Sequence, residues 1–311
     1  MCVTCGCGEG ETTIQMVGHG QAHADEHQHE HGHEHPHVHT HADGTTHSHG
    51  DDHAHSHAAH EPEHPHPHAH AHAHPHAHTR AHDLQVPGRD AQTIALEAAV
   101  LGKNQALAER NRGWLAGRGV LALNLMSSPG AGKTTLLERS IHDLHGRVSI
   151  SVVEGDQATV RDAERIRATG APAVQVNTGT GCHLEADMLA RALDLLQPAS
   201  GSLLVIENVG NLVCPALFDL GEKARVVIFS VTEGEDKPLK YPHMFSTADV
   251  LLLSKIDLLP HLRVNLQLML DNALAVNPRL KIFPVSAYTG EGLGAWYGWL
   301  RGELAGMKLT A

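Results

Sequence analysis

The nine residues Ser127-Ser128-Pro129-Gly130-Ala131-Gly132-Lys133-Thr134-Thr135 lie between the apolar run Val120-Leu121-Ala122-Leu123-Asn124-Leu125-Met126 and a leucine-rich helix start. Strand, glycine-rich turn and helix in that order form a phosphate-binding loop. Backbone N–H groups of Gly130, Ala131, Gly132, Lys133, Thr134 and Thr135 can surround phosphate oxygens, and the helix adds the positive end of its dipole. The Lys133 ammonium would reach the β- and γ-phosphates, and the Thr134 hydroxyl would ligate Mg²⁺. Ser127 stands where the usual G-x-x-x-x-G-K-[ST] pattern has its first glycine. The segment predicts nucleotide binding.

Which nucleotide is written further along. Ser254-Lys255-Ile256-Asp257 follows the apolar run 250–253 and looks like the [NT]-K-x-D element that reads guanine, with Ser in first place. A carboxylate at Asp257 can accept both N1–H and the exocyclic amine of guanine. Adenine lacks that donor pair, and a buried acceptor left unpaired is costly. Ser286-Ala287, after the run 281–285, resembles the loop whose backbone meets guanine O6. The expected ligand is therefore GTP with Mg²⁺. Glu207-Asn208-Val209-Gly210-Asn211 follows the run 203–206, where GTPases usually carry D-x-x-G. Glu207 stands in for the aspartate, and the Gly210 N–H could sense the γ-phosphate. Asp156 is a candidate for Mg²⁺ or for orienting the attacking water, and both carboxylates could instead cap helices. Lys133, Asp156 and Glu207 are the candidate catalytic set.

A second chemistry is written in thiols and imidazoles. Cys2, Cys5 and Cys7 form C-x-x-C-x-C. Removal of Met1 would add the Cys2 amine, a donor set suited to Ni²⁺ in a tetragonal site and acceptable to Zn²⁺. Cys182-His183 closes the loop Asn177-Thr178-Gly179-Thr180-Gly181, and Cys214 lies four residues beyond Gly210. Cys214 in a Val-Cys-Pro setting reads either as a small core residue or as partner to Cys182 and His183 in one metal site. Such a site would feel the nucleotide state. Of 30 histidines, 25 fall between His19 and His82, alternating with small residues. Neutral imidazoles on a flexible chain chelate borderline metals in a pH-dependent way. The irregular Asp, Glu, Thr and Pro among them argue against an affinity tag.

The elements that must position these groups begin near residue 89. The 19–82 stretch has no large apolar residue except Val38, too little to offset the entropy of ordering it. Residues 1–10 are read as a Cys-rich metal motif, 11–88 as a disordered histidine tract and linker, and 89–311 as the folded domain. Helices are expected over 90–115, 158–168, 184–196, 262–275 and 293–304. Apolar strands are expected over 120–126, 148–153, 173–176, 203–206, 226–229, 250–253 and 281–285. That alternation predicts an α/β fold with a mainly parallel sheet covered on both faces, and ligands at the strands' carboxyl ends. A formal net charge of −12 argues against nucleic-acid and anionic-membrane surfaces. No apolar run reaches membrane-spanning length and the start is not a signal peptide. Five cysteines, three of them in the first seven residues, suit reduced thiols in a cytoplasmic protein.

Taken together, these segments resemble the HypB-type hydrogenase nickel-incorporation GTPases. The likeness covers Met1–Gly8 and 89–308, and rests on the phosphate loop, Glu154-Gly155-Asp156, the 177–183 loop and the Glu207–Pro215 segment. It implies a SIMIBI-like P-loop fold and a slow regulatory GTPase that forms a GTP-dependent homodimer. It also implies Ni²⁺ or Zn²⁺ at Cys182, His183 and Cys214, near the dimer interface. The implied partners are a HypA-type nickel metallochaperone and the precursor of the [NiFe]-hydrogenase large subunit. A urease-accessory-type GTPase is the nearest rival, against which the cysteine head and Val213-Cys214-Pro215 argue. A nickel or zinc storage protein with an incidental GTPase domain is the other.

Overall fold

A computed structural model describes residues 12–16, 38–40, 46–48, 91–156 and 161–310. The order of elements is β1 (Thr13–Met16), β2 (Val38–Thr40), β3 (Thr46–Ser48), α1 (Ala91–Gly117), β4 (Leu121–Ser127), α2 (Lys133–Leu144), β5 (Ile150–Asp156), α3 (Arg161–Ala168), β6 (Ala173–Asn177) and α4 (Ala186–Leu196). Then come β7 (Leu203–Glu207), α5 (Cys214–Leu217), β8 (Ala224–Ser230), α6 (Lys237–Lys240), α7 (Pro242–Ser246), β9 (Val250–Ser254), α8 (Leu266–Val276), β10 (Lys281–Pro284) and α9 (Leu293–Thr310). A 3-10 turn over Ile256–His261 links β9 to α8. None of the described helices is long and apolar enough to cross a membrane.

Eight strands form one sheet in the order β1-β6-β5-β7-β4-β8-β9-β10. Every pairing is parallel except β1 with β6. The central strand β4 is buried along its whole length, so its alternation sorts residues between two apolar faces rather than between core and water. Leu121, Leu123 and Leu125 face one layer with Leu136, Leu137 and Ile141 of α2, Ile166 of α3 and Trp296 and Leu300 of α9. The other face divides. Ala122 joins Leu115 of α1 and Leu189 and Leu193 of α4, whereas Met126 joins Phe245 of α7 and Met269 and Ala273 of α8. Asn124 sits between those two clusters, fully buried.

Two strands of the large sheet depart from the sequence expectation. β5 runs through Glu154-Gly155-Asp156 instead of stopping at Val153, with Glu154 opposite Gln175 and Glu207. A buried glutamate extends the strand because its neighbours hold it in the ladder, which periodicity of apolar residues cannot register. β1 lies in the stretch that composition groups with the histidine tract, yet it pairs antiparallel along β6 from Thr13 opposite Asn177 to Met16 opposite Val174. Four residues carry little signal of their own; the open edge of β6 supplies the partner, and Ile14 packs on the α1/α4 cluster. Within the tract itself, β2 and β3 form a short antiparallel ladder that pairs Val38 with Ser48 and Thr40 with Thr46.

Candidate functional site

The carboxyl ends of β4, β7 and β9 converge on the phosphate loop. Gly130 (φ +74°) and Gly132 (φ +101°) take left-handed conformations that L side chains disfavour, which lets the loop curl before α2 begins at Lys133. The segment Ser254-Lys255-Ile256-Asp257 is laced to this loop. Ser254 donates its hydroxyl to the Ala131 carbonyl at 2.8 Å, and Lys255, itself at φ +62°, donates its ammonium to the Gly130 carbonyl at 2.7 Å. A cleft of about 480 Å³ opens between them, lined among others by Lys133, Thr134, Glu207, Gly210 and Lys255. Ser127 explains its place in the motif: it is buried, and its hydroxyl accepts the Lys133 ammonium at 3.0 Å.

Glu207 closes the floor of the cleft. Its Oε1 accepts the Thr134 hydroxyl at 2.7 Å, while Oε2 is buried with no hydrogen-bond partner among the described residues. Burial pushes its carboxyl up to about 6, against the pull of Lys133 and the Thr134 hydroxyl. A hydroxyl beside a desolvated carboxylate with an unused oxygen is a donor set that fits a hard divalent cation such as Mg²⁺. Gly210 lies against the phosphate loop; a Cβ there would stand 3.2 Å from Pro129 Cα.

Sequence reasoning missed three supports of the cleft. Arg165 of α3 lines it and donates to Thr135 Oγ1 at 3.0 Å and Glu138 Oε2 at 2.5 Å. Ser128 donates to Glu233 Oε2 at 2.6 Å and accepts from Lys237, which also pairs with Glu233. A buried polar row crosses the sheet: Arg225 donates to Glu222, Asn124 donates to Glu222, and Asn208 donates to Asn124. The fully apolar surroundings of Asn124 in Leu123-Asn124-Leu125 were the one legible signal, a polar residue inside a buried strand.

The second group of ligands also assembles. Cys182, His183 and Cys214 offer atoms that all lie within 4.8 Å of one another. His183 Nδ1 is 3.7 Å from Cys182 Sγ, and the ring stacks on Phe218 at 4.0 Å. On the ring's far side Nε2 is buried and faces Glu185 Oε1 at 3.6 Å. His183 beside it outweighs burial and holds the Glu185 carboxyl below its ordinary value. Such a carboxylate fixes a ligating imidazole with Nδ1 toward the metal. Two thiols and an imidazole in a half-buried pocket suit a borderline cation, Ni²⁺ or Zn²⁺, and not a hard one.

The remaining candidates divide. Asp257 is half-buried in the turn after β9, and Ser286 and Ala287 follow β10, so all three stand at strand ends on the carboxyl edge of the sheet without lining the cleft. Ser286 is buried, its hydroxyl accepting the Thr289 N–H at 3.0 Å, and the Ala287 carbonyl accepts Arg139 at 3.1 Å. Asp156 ends β5, and its side chain lies outside the described residues. Cys2, Cys5, Cys7 and most of the histidine tract also lie outside them.

Comparison with known proteins agrees with this geometry. Residues 121–284 match the family described as CobW/HypB/UreG, nucleotide-binding domain. The chain is 59% identical over 218 residues to hydrogenase maturation factor HypB of Rhizobium leguminosarum bv. viciae, covering 70% of this chain and 73% of that one. The Escherichia coli K12 counterpart is 56% identical over 207 residues, covering 67% and 71%. Among solved structures, HypB from Archaeoglobus fulgidus shares 41% identity at a TM-score of 0.62 and covers 65% of this chain and 99% of that one. HypB from Helicobacter pylori in complex with nickel shares 38% identity at a TM-score of 0.62, covering 65% and 95%. With a phosphate loop and a Cys/His cluster on one mainly parallel sheet, the chain belongs to the HypB hydrogenase maturation factors, GTPases of the CobW/HypB/UreG class that serve nickel maturation.

Proposed function

We propose that this GTPase couples loss of the γ-phosphate to release of nickel from Cys182, His183 and Cys214. The observation that carries the reading is the continuity of one segment, in which Glu207 touches Thr134, Gly210 abuts Pro129 and Cys214 supplies a metal ligand. Backbone N–H groups of 130–135 and the Lys133 ammonium hold the triphosphate, and Lys133 leaves Ser127 to do so. Mg²⁺ held by Thr134, with Glu207 and Asp156 nearby, would neutralise charge between the β- and γ-phosphates. Asp257, with Lys255 and the Ser286-Ala287 turn, selects guanine. Asp156, at the end of β5, is the candidate for orienting the attacking water.

Nickel is cargo here, and the recipient is the precursor of the [NiFe]-hydrogenase large subunit. A GTP-bound homodimer and a HypA-type metallochaperone complete the delivery complex. Cys2, Cys5 and Cys7 form a further Ni²⁺ or Zn²⁺ site, and the 25 histidines of the tract serve as a reservoir. The test is hydrogenase activity in cells whose sole copy carries Lys133→Ala, at scarce and plentiful nickel. Loss at scarce nickel with at most partial rescue is expected; normal activity at both levels would overturn GTP-coupled delivery. Deleting 19–82 separates the reservoir, since activity should then fail only when nickel is scarce.

A further inference from the structure

Cys182 and His183 sit on one loop and Cys214 opens α5 at the end of another, so a nucleotide signal that changes metal affinity must move one loop against the other. Two asparagines on either side of Gly210 join these loops. Asn208 Oδ1 accepts the Leu184 N–H at 3.2 Å and its own neighbour's, Val209, at 2.9 Å. Its amide is anchored by donating to Asn124 Oδ1 at 3.2 Å, inside the sheet. Asn211 donates to the Cys182 carbonyl at 3.3 Å and accepts the Val213 N–H at 2.9 Å. One side chain therefore holds the backbone of the Cys182 ligand and, through Val213, the residue before the Cys214 ligand. Leu184 is gripped from a third side, because its side chain lies where a Cβ on Gly155 would be, 2.8 Å away.

We propose that Asn211, supported by Asn208, is the positioning residue that converts movement of Gly210 into a change in the spacing of the Cys182/His183 and Cys214 ligands. Asn208 is locked to the central strand and moves little. Asn211 lies beyond Gly210, on the part of the segment free to follow the phosphate. When Gly210 shifts, Asn211 carries the Cys182 carbonyl and the Val213 N–H with it, and the ligand triangle opens or closes. Removing the donor half of that amide uncouples the loops and leaves both sites built.

The inference rests on the coupled-carrier reading, and one experiment separates the two. The full chain carrying Cys2→Ser, Cys5→Ser and Cys7→Ser keeps only Cys182 and Cys214 as thiols. Ni²⁺–thiolate charge-transfer absorption then reports this site alone, because the tract has imidazoles and no thiolate. Free Ni²⁺ is set with a competing chelator, and the midpoint is measured with Mg²⁺-GDP and with a non-hydrolysable Mg²⁺-GTP analogue. The parent protein should show midpoints differing by about five-fold or more. In Asn211→Ser, whose hydroxyl can still accept the Val213 N–H but cannot reach Cys182, the two midpoints should fall within about two-fold, with nucleotide affinity retained. Asn211→Asp, which keeps the acceptor and loses the donor, should do the same. Equal midpoints in the parent would overturn the coupled-carrier reading itself. Unequal midpoints preserved in both variants would overturn the role of Asn211. Absence of the charge-transfer band in both variants under GDP would also overturn it, by making Asn211 part of the site's scaffold.

Discussion

The phosphate cleft and the Cys/His cluster lie on the same sheet and are built in opposite ways. The phosphate-binding wall of the cleft is one contiguous stretch, residues 127–135, whose working groups are mostly backbone N–H groups, with Arg165, Glu207, Gly210 and Lys255 lining the rest. Its geometry follows from two glycines at positive φ and from the start of α2. The cluster uses side chains alone and draws them from loops 31 residues apart, His183 to Cys214. A backbone site is therefore robust to its surroundings and local in the chain, whereas a side-chain site exists only while two loops keep their distance. The segment from Glu207 to Cys214 belongs to both, which is why the proposed coupling runs through it.

That contrast can be broken at two points. Lys133→Ala should lower GTP hydrolysis by about 10²- to 10³-fold, as loss of a charge-stabilising donor does. It should leave the Ni²⁺–thiolate band of Cys182 and Cys214 in place, and loss of the band would show that the cluster needs the loop's own residues. Cys214→Ala should weaken Ni²⁺ binding at the cluster by about 100-fold or more, exceeding the effect of an outer-shell change. Basal GTP hydrolysis should stay within about three-fold, since Cys214 is not one of the residues that line the cleft; a larger fall would merge the two sites into one.

Glu207→Gln sharpens the comparison with a smaller effect. The Glu207 carboxyl is raised to about 6 from an ordinary 4.5 by burial. The folded protein thus holds this proton more tightly than the unfolded chain. The stability it confers is fully present below pH 4.5 and is lost as pH rises to about 6. Above that the ionised, half-satisfied carboxylate is a cost on the order of 1 kcal/mol in the nucleotide-free protein. The Gln variant should therefore melt about 2–4 °C higher at neutral pH without Mg²⁺-nucleotide. It should also lack the parent's decline between pH 4.5 and 6. With Mg²⁺-GTP the order should reverse, as expected of a residue kept for function at a cost in stability. Thermal denaturation across pH with and without Mg²⁺-GTP reads both; a variant no more stable than its parent at neutral pH would show that Glu207 is not strained.

Much of this was legible before folding, and the exceptions have physical causes. The phosphate loop, Ser254-Lys255-Ile256-Asp257 and the strand alternation are local patterns, so their positions agree with the structure to within a few residues. Glu207 was placed by its distance from an apolar run, but its unpartnered oxygen was invisible, because that depends on Thr134 filling only one side. Arg165 carried no signal in the sequence, since only packing brings it to Thr135. Asn208 and Asn211 stood inside a quoted motif without a role, because an asparagine's partners are fixed by whatever backbone passes within 3.3 Å.

By itself the sequence determined the backbone chemistry: a glycine turn that can take phosphate, an apolar period that can make a buried parallel sheet, and a tract of imidazoles too poor in apolar residues to build a core. The tertiary structure decided everything that depends on distance between remote residues. It brought Cys214 to Cys182 and His183, set Glu185 behind the His183 ring, seated β1 on the edge of β6 and ran the Asn124–Asn208 bond through the sheet. Phosphate recognition uses groups that every residue carries, so local conformation is enough to write it. Side-chain ligands and amide partners are single atoms, useful only within a few ångströms of each other, and the packing of the whole sheet sets that spacing.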